Sequence, residues 1–246
     1  MSLSIHPLDL GDLELDVSFV NWQTSCGTKS WYPTTAWLIL GAEKPILVDS
    51  SFRSVEDALS NQWQVARRSE LQTLENQLSK HGLKPADIGY LLHTHLHMDH
   101  AGQDVLLPNA TILVQRKELQ NAAAPNIYPV PFYDRLNVAR LVHDMWSRVE
   151  ILDGDMEPFA GVRCVPLPGH TPGHQAIYVA TQSGTAIICG DAAMNVAVNV
   201  DQQIPPGFLD NMGDTMNGLR KLRREGKHIL PTHDPEVFQK YPQGVT

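Results

Sequence analysis

The chain has 246 residues, 42% of them hydrophobic and 19% charged, with a net charge of −8. This is the balance of a soluble globular protein large enough to bury a core without disulfides, and its acidity disfavours nucleic acid as a partner. The three cysteines lack C-x-x-C spacing, so neither a disulfide framework nor a zinc ribbon is indicated. The start MSLSIHPLDLGDLELD lacks a secretory pattern, and no apolar run is long enough to cross a bilayer. The expectation is one cytoplasmic domain, 1–246, with monomer and homodimer both open.

Strand patterning opens the chain in LDVSFVNW, TTAWLIL and PILVDSS. From Ser69 the spacing of Leu71, Leu74 and Leu78 predicts a helix that stops at Gly82. DIGYLLHTH predicts a buried strand running into histidines. ATILVQ predicts another, followed by a short helix that Pro125 ends. NIYPVPFYD, with two prolines, cannot be a regular element, and 134–149 reads as helical. GVRCVPL, AIYVAT and TAIICGD are strands, the last two joined by a QSG turn. Asp214 would cap a helix running to Glu225, with Gly226 beyond it. The basic run RKLRRE near its end suits the helix dipole and reads as a solvated face. HILPTHD closes the chain as a strand. Strands, helix and strands, then the same again, predict two similar halves in layered α/β packing.

The stretch LLHTHLHMDHAG holds four of the chain's 11 histidines and one aspartate. In an extended segment, residues two apart point the same way. His95 and His97 can therefore grip one ion, with Asp99 and His100 turned toward a neighbouring position. Imidazole and carboxylate are ligands for zinc and similar ions, and catalytic sites keep one position open. His170 in LPGHTPGH, Asp191 in IICGD and His233 in ILPTHD each follow a buried β run, as LLHTH does. Taken singly, such residues are ordinary turn or surface residues. H-x-H-x-D-H is different, because packing and solvation do not explain four ligand-type residues in so short a run. Strand ends on a rigid sheet are where open sites form.

HTHLHMDHAG, LPGHTPGH, ICGDAAMN and LPTHD, in this order, resemble the metallo-β-lactamase superfamily over essentially the whole chain. The resemblance implies an α/β fold, a four-layer αβ/βα sandwich with the metals at the sheet edges. It implies that His95, His97 and His170 bind a first divalent ion and Asp99, His100 and His233 a second, with Asp191 bridging both. Zinc is the leading candidate, and iron or manganese also suits the set. His93 falls outside the motif and reads as buried support. His143, His174 and His228 read as structural, and Asp49 as support rather than ligand. Two such ions lower the pKa of bound water to about 7 and favour a bridging hydroxide that attacks an ester-like bond. Asp99 could also carry the proton to the leaving oxygen.

Within the superfamily, TILVQRKEL, PGHTPGHQAIYVATQSGTAIICGDA and the closing helix plus LPTHD are most similar to the N-acyl-homoserine lactone lactonases. This implies a small-molecule lactone or ester as substrate. Those lactonases usually carry a tyrosine three residues after the bridging aspartate, where Met194 stands here without a useful donor. Tyr32, Tyr128 and Tyr133 are candidates to replace it. Trp31, beside Tyr32 after the SCGTKS loop, and NIYPVPFYD are candidate pocket walls, whereas Trp22 and Trp37 read as core. The alternatives are a glyoxalase II-type thioesterase and another carboxylic or phosphate ester hydrolase of the same fold. A non-catalytic metal-binding module would be expected to have broken ligands, and none is broken.

Overall fold

The computed structural model describes residues 2–62, 64–125 and 132–246. Seven strands form one sheet: β1 (Ser4–Asp16), β2 (Lys29–Leu40), β3 (Ile46–Val48), β4 (Ala66–Arg67), β5 (Tyr90–Leu92), β6 (Thr111–Gln115) and β7 (Val149–Leu152). Their spatial order is β4-β1-β2-β3-β5-β6-β7. The second sheet holds β8 (Met156–Phe159), β9 (Val162–Pro166), β10 (Gln175–Thr181), β11 (Gly184–Gly190) and β12 (His228–Pro231), in the order β12-β11-β10-β9-β8. The helices are α1 (Val17–Val20), α2 (Val55–Gln62), α3 (Leu74–Ser79), α4 (Arg116–Ala123), α5 (Arg135–Val142), α6 (Met212–Glu225) and α7 (Glu236–Lys240). None of them is long and apolar enough to cross a membrane.

Strand alternation builds the layers. Ala36 and Leu38 of β2, with Leu91 of β5, face α3, α4 and α5, where Leu78, Leu119 and Leu141 cover them. Their strand neighbours Trp37, Ile39 and Leu92 point the other way and meet Ile177, Val179, Ala186 and Ile188 of the second sheet. The opposite face of that sheet, with Ala176, Ile187 and Cys189, is covered by Leu219 and Leu222 of α6. Helices, sheet, sheet and helix make the four layers expected. The halves differ in size, since one sheet has seven strands and the other five.

Several local expectations give way to side-chain capping. LDVSFVNW is strand only through Asp16, because the Asp16 carboxylate accepts from the Ser18 amide (2.9 Å) and hydroxyl (2.6 Å) and turns the chain into α1. Trp22 consequently lies beyond α1 and is 39% exposed, not in the core. Thr73 caps α3 afresh after a 3₁₀ turn at Glu70–Gln72. The leucines therefore fall out of phase: Leu74 and Leu78 are buried and Leu71 is exposed. The cap of α6 is Asn211, which accepts from the amide of Asp214. Helix α5 stops at Val142, and Val149 already belongs to β7.

β3, β5, β6 and β7 run parallel, as do β11 and β12. Their carboxyl ends gather at one rim, where backbone bonds stitch the sheets together. Gln175 donates to the Thr94 carbonyl (2.9 Å) and Thr35 to that of Thr232 (3.0 Å).

Candidate metal centre

Beyond Leu92 the chain leaves the sheet, with every residue of 93–98 buried. Leu96 points into the helix-side core and Met98 into a separate apolar cluster, which leaves His95 and His97 facing a common point. The amides of His100 and Ala101 both donate to the His97 carbonyl. This single turn brings Asp99 and His100 round to the neighbouring position. Gly102 then donates to the Ser51 carbonyl (2.7 Å), and a Cβ there would lie 2.3 Å from the Arg53 amide nitrogen. Close backbone approach therefore accounts for the glycine that ends the motif.

Two candidate ligand sets result. His95 Nε2, His97 Nδ1 and His170 Nε2 lie 3.0–3.2 Å from one another. A tetrahedral ion with nitrogen ligands at about 2.0–2.1 Å separates them by roughly 3.3 Å, so the triangle has the right size. On the other side, His233 Nε2 lies 3.4 Å from both Asp99 Oδ2 and Asp191 Oδ1, and His100 Nε2 lies 3.3 Å from Asp191 Oδ1. The other oxygen of Asp191 is 3.5 Å from His170 Nε2. One carboxylate thus divides its two oxygens between the sets.

Hydrogen bonds behind the rings fix which nitrogens are bare. His170 Nδ1 faces the Phe208 carbonyl (3.0 Å) and His233 Nδ1 the Pro33 carbonyl (2.7 Å). A carbonyl only accepts, so each Nδ1 must donate and each neutral Nε2 presents a lone pair. The Thr94 hydroxyl donates to Asp49 (2.7 Å) and so accepts from His95 Nδ1 (3.1 Å). His100 Nδ1 donates to the same aspartate (2.8 Å). In the first set lone pairs are therefore aimed at one another, whereas in the second His100 Nε2 and His233 Nε2 face carboxylate oxygens. His100 Nε2 and Asp191 Oδ1 are buried without a hydrogen-bond partner. Such an arrangement is repulsive by itself and fits divalent cations between the atoms.

The titration tendencies divide along the same line. Burial, followed by the neighbouring imidazoles, holds His95 and His97 well below the ordinary histidine value, and burial also lowers His170. Burial pulls on His100 as well, yet the carboxylates of Asp191, Asp99 and Asp49 outweigh it and hold the ring well above its usual value. His233 is raised to about 10, against burial, by Asp191 and Asp99.

The supporting residues were only partly visible in the sequence. Asp49 sits just past β3 at a positive φ of 62° and joins the Thr94 amide, the Thr94 hydroxyl and His100. Residues held in that region cluster at functional sites. His93 pairs with Asp104 at 2.9 Å, behind the ligands. His174 accepts from the Asp191 amide (3.2 Å), so it positions that carboxylate from behind. Sequence reasoning missed Glu118. Its carboxylate accepts from the Leu96 amide (2.9 Å), the Thr171 hydroxyl (2.6 Å) and the Tyr133 hydroxyl (3.1 Å). It therefore ties the His95–His97 segment to the His170 segment. A 1%-exposed glutamate at the start of a helix is the only sign, and a sequence does not reveal burial.

A cleft opens over the two sets, with His97, Asp99, His170, Asp191 and His233 in its lining. Leu13, Leu15, Phe19, Met98, Phe132, Met194 and Phe208 make its walls apolar. Of the wall candidates, Met194 is in place. Trp31 and Tyr32 do not line this cleft. Trp31 belongs to β2, not to a loop, and carries the Arg67 guanidinium over its ring at 4.3 Å. Tyr32 packs against the cluster of Leu13, Met98 and Met194. Tyr133 lies against the His97 ring (4.7 Å), but its hydroxyl is engaged by Glu118 and by Asn121. Tyr128 lies outside the described residues. Phe132, from the NIYPVPFYD segment expected to form a wall, and Phe19 and Phe208, which the sequence did not single out, supply the aromatic wall.

Comparison with known proteins agrees with this architecture. Residues 30–226 match the metallo-beta-lactamase superfamily. The N-acyl homoserine lactonase AttM of Azorhizobium caulinodans is 28% identical, over 97% of this chain and 96% of its own length. The N-acyl homoserine lactonase AiiA of Bacillus thuringiensis subsp. kurstaki is 31% identical, over 95% and 91%. An N-acyl homoserine lactone hydrolase, solved with the product N-hexanoyl-L-homoserine at its catalytic metal centre, superposes with a TM-score of 0.81. Its identity is 25%, over 99% of this chain and 100% of that one. By fold and by sequence, the chain belongs to the metallo-beta-lactamase superfamily.

Proposed function

We propose that the protein is a dinuclear metal-dependent hydrolase that opens the ring of an N-acyl homoserine lactone. The observation that carries this reading is Asp191, with one oxygen toward His170 and the other toward His100 and His233, beneath an apolar cleft. His95, His97 and His170 would hold the first ion, Asp99, His100 and His233 the second, and Asp191 both. Zinc is the leading candidate. Two divalent ions in those positions supply Lewis acidity and water deprotonated near neutral pH. The lactonase relatives support the choice of substrate.

The chain's own residues supply binding, orientation and proton transfer. Leu15, Phe19 and Phe208 would cover an acyl arm and keep water from the reacting ester. Asp99 lines the cleft, and its side chain is 13% exposed against 3% for Asp191. It is the carboxylate placed to pass a proton to the leaving oxygen. Met194, 4% exposed, offers that oxygen no hydrogen bond.

The test pairs metal analysis of chelator-free protein with proton-release assays on an N-acyl homoserine lactone, a linear ester and a thioester of equal acyl length. The expected result is two ions per chain and fastest turnover of the lactone. Full activity with fewer than two ions would sink the dinuclear reading. Thioester turnover exceeding lactone turnover would favour the glyoxalase II-type alternative.

A further inference from the structure

The cleft over the ligands has apolar walls with one exception. Among the described residues, and apart from the ligand-type side chains on its floor, Gln64 is the one hydrogen-bonding side chain that lines it, beside Leu13, Leu15, Phe19 and Met194. The backbone explains why it points inward. Val65 is exposed, Ala66 buried and Arg67 exposed, so Gln64 shares the inward face with Ala66. Ala66 pairs with Leu13 and belongs to the same apolar cluster as Leu15, Met98 and Met194. The Gln64 amide nitrogen donates to the Ala58 carbonyl (2.9 Å), and the Val65 carbonyl accepts from Glu14 (2.8 Å). The segment is thus held on both sides while, among the described residues, the Gln64 side chain has no hydrogen-bond partner.

We infer that Gln64 is a specificity-determining residue that recognises a secondary amide on the acyl arm of the substrate. A primary amide both donates and accepts, and a secondary amide offers one group of each kind in return. An arm made only of hydrocarbon would displace water from Gln64 and leave it unpaired, which is a penalty against such substrates. A site that hydrogen-bonds its substrate rejects an analogue lacking that group far better than an apolar pocket rejects a change of one methylene. Met194 sharpens the point, since among the described residues no tyrosine hydroxyl lines the cleft with Gln64. This inference rests on the N-acyl lactone reading above and adds the residue that recognises the amide of the acyl arm.

The experiment compares metal-loaded wild type and Gln64→Leu on two lactones. One is an N-acyl homoserine lactone, and the other an alkyl γ-lactone whose arm has the same length but no amide. The wild type is expected to prefer the amide substrate. Gln64→Leu is expected to lower kcat/KM for that substrate roughly tenfold, chiefly through KM, while the alkyl lactone is held or improved. Binding of the ring-opened N-acyl homoserine, measured by calorimetry, should weaken by a similar factor. An unchanged preference in Gln64→Leu, or a wild type indifferent to the amide, overturns the role of Gln64 and leaves the lactonase reading standing. A wild type that opens neither lactone overturns the lactonase reading, and this inference with it.

Discussion

The two candidate ligand sets that meet at Asp191 differ by one carboxylate and behave oppositely. His95, His97 and His170 form a neutral set, held below the usual histidine range by burial. Asp99, His100 and His233 form a charged set, in which carboxylates hold both rings above it. A cation entering the first set meets bare lone pairs, whereas one entering the second must displace protons. The difference teaches that the two positions are not interchangeable: the second should respond to pH and the first to whatever fixes its rings.

The widest break in this comparison is Asp191→Ala, because that carboxylate belongs to both sets. It should lower lactone kcat/KM by roughly 10³-fold or more, since it removes a shared ligand and the charge opposite His100 and His233. Metal content should fall as well. Activity within tenfold of wild type would contradict a shared role for Asp191.

The same contrast explains how much could be read from the sequence. The floor of the site was legible, because ligand chemistry restricts residue type and the H-x-H-x-D-H spacing places four groups at one loop. Strand-end residues such as Asp191 and His233 were legible because each follows an apolar run. The layered fold was legible through short apolar strand runs such as TTAWLIL and TAIICGD and through the repeated order of strands, helix and strands. The walls were not. Phe19 reaches the cleft only because the Asp16 cap turns an expected strand into α1, and Phe208 because its segment packs on Phe19. Gln64 faces the cleft through its register with Ala66 at the sheet edge. Any hydrocarbon side chain can make a wall, so composition there carries no signal until the long-range contacts are known.

Proton linkage sharpens the comparison next. In metal-free protein the folded pKa of His233 is about 10, above the usual 6.5. Its contribution to stability is therefore complete below pH 6.5 and lost as pH rises toward 10. His93, raised to about 9 against burial by Asp104 and Asp49, acts with the same sign. Each titrating group removes about 1.4 kcal/mol per pH unit inside that window. A cation bound there would take the place of the His233 proton and leave the His93 pair untouched. Thermal melts between pH 6.5 and 9 should show the metal-free protein falling faster, so that the gap to loaded protein widens. A gap independent of pH would mean that the second set does not exchange protons for metal. His95 and His97 carry the opposite sign, because their lowered values make stability fall as pH drops below 6.5.

The smallest expected effect tests the first set through a residue that touches no ligand atom. Glu118 accepts from Leu96, between His95 and His97, and from Thr171, beside His170. Gly173 also faces it, and a Cβ on that glycine would lie 2.0 Å from the Glu118 amide nitrogen, so the loop and the helix start are in close contact. Burial raises the Glu118 pKa, and the surrounding donors oppose the rise. Glu118→Gln preserves the shape and one acceptor oxygen but places an NH₂ group where donors now converge. The segments carrying His95, His97 and His170 should then be held less firmly, with metal affinity at that set falling roughly tenfold. Chelator competition with cobalt-loaded protein would resolve the two positions, and the second should change much less. Equal weakening of both would assign Glu118 a general packing role. Weakening confined to the first set would show that the neutral set depends on a buried carboxylate behind its loops, as the charged set depends on Asp49.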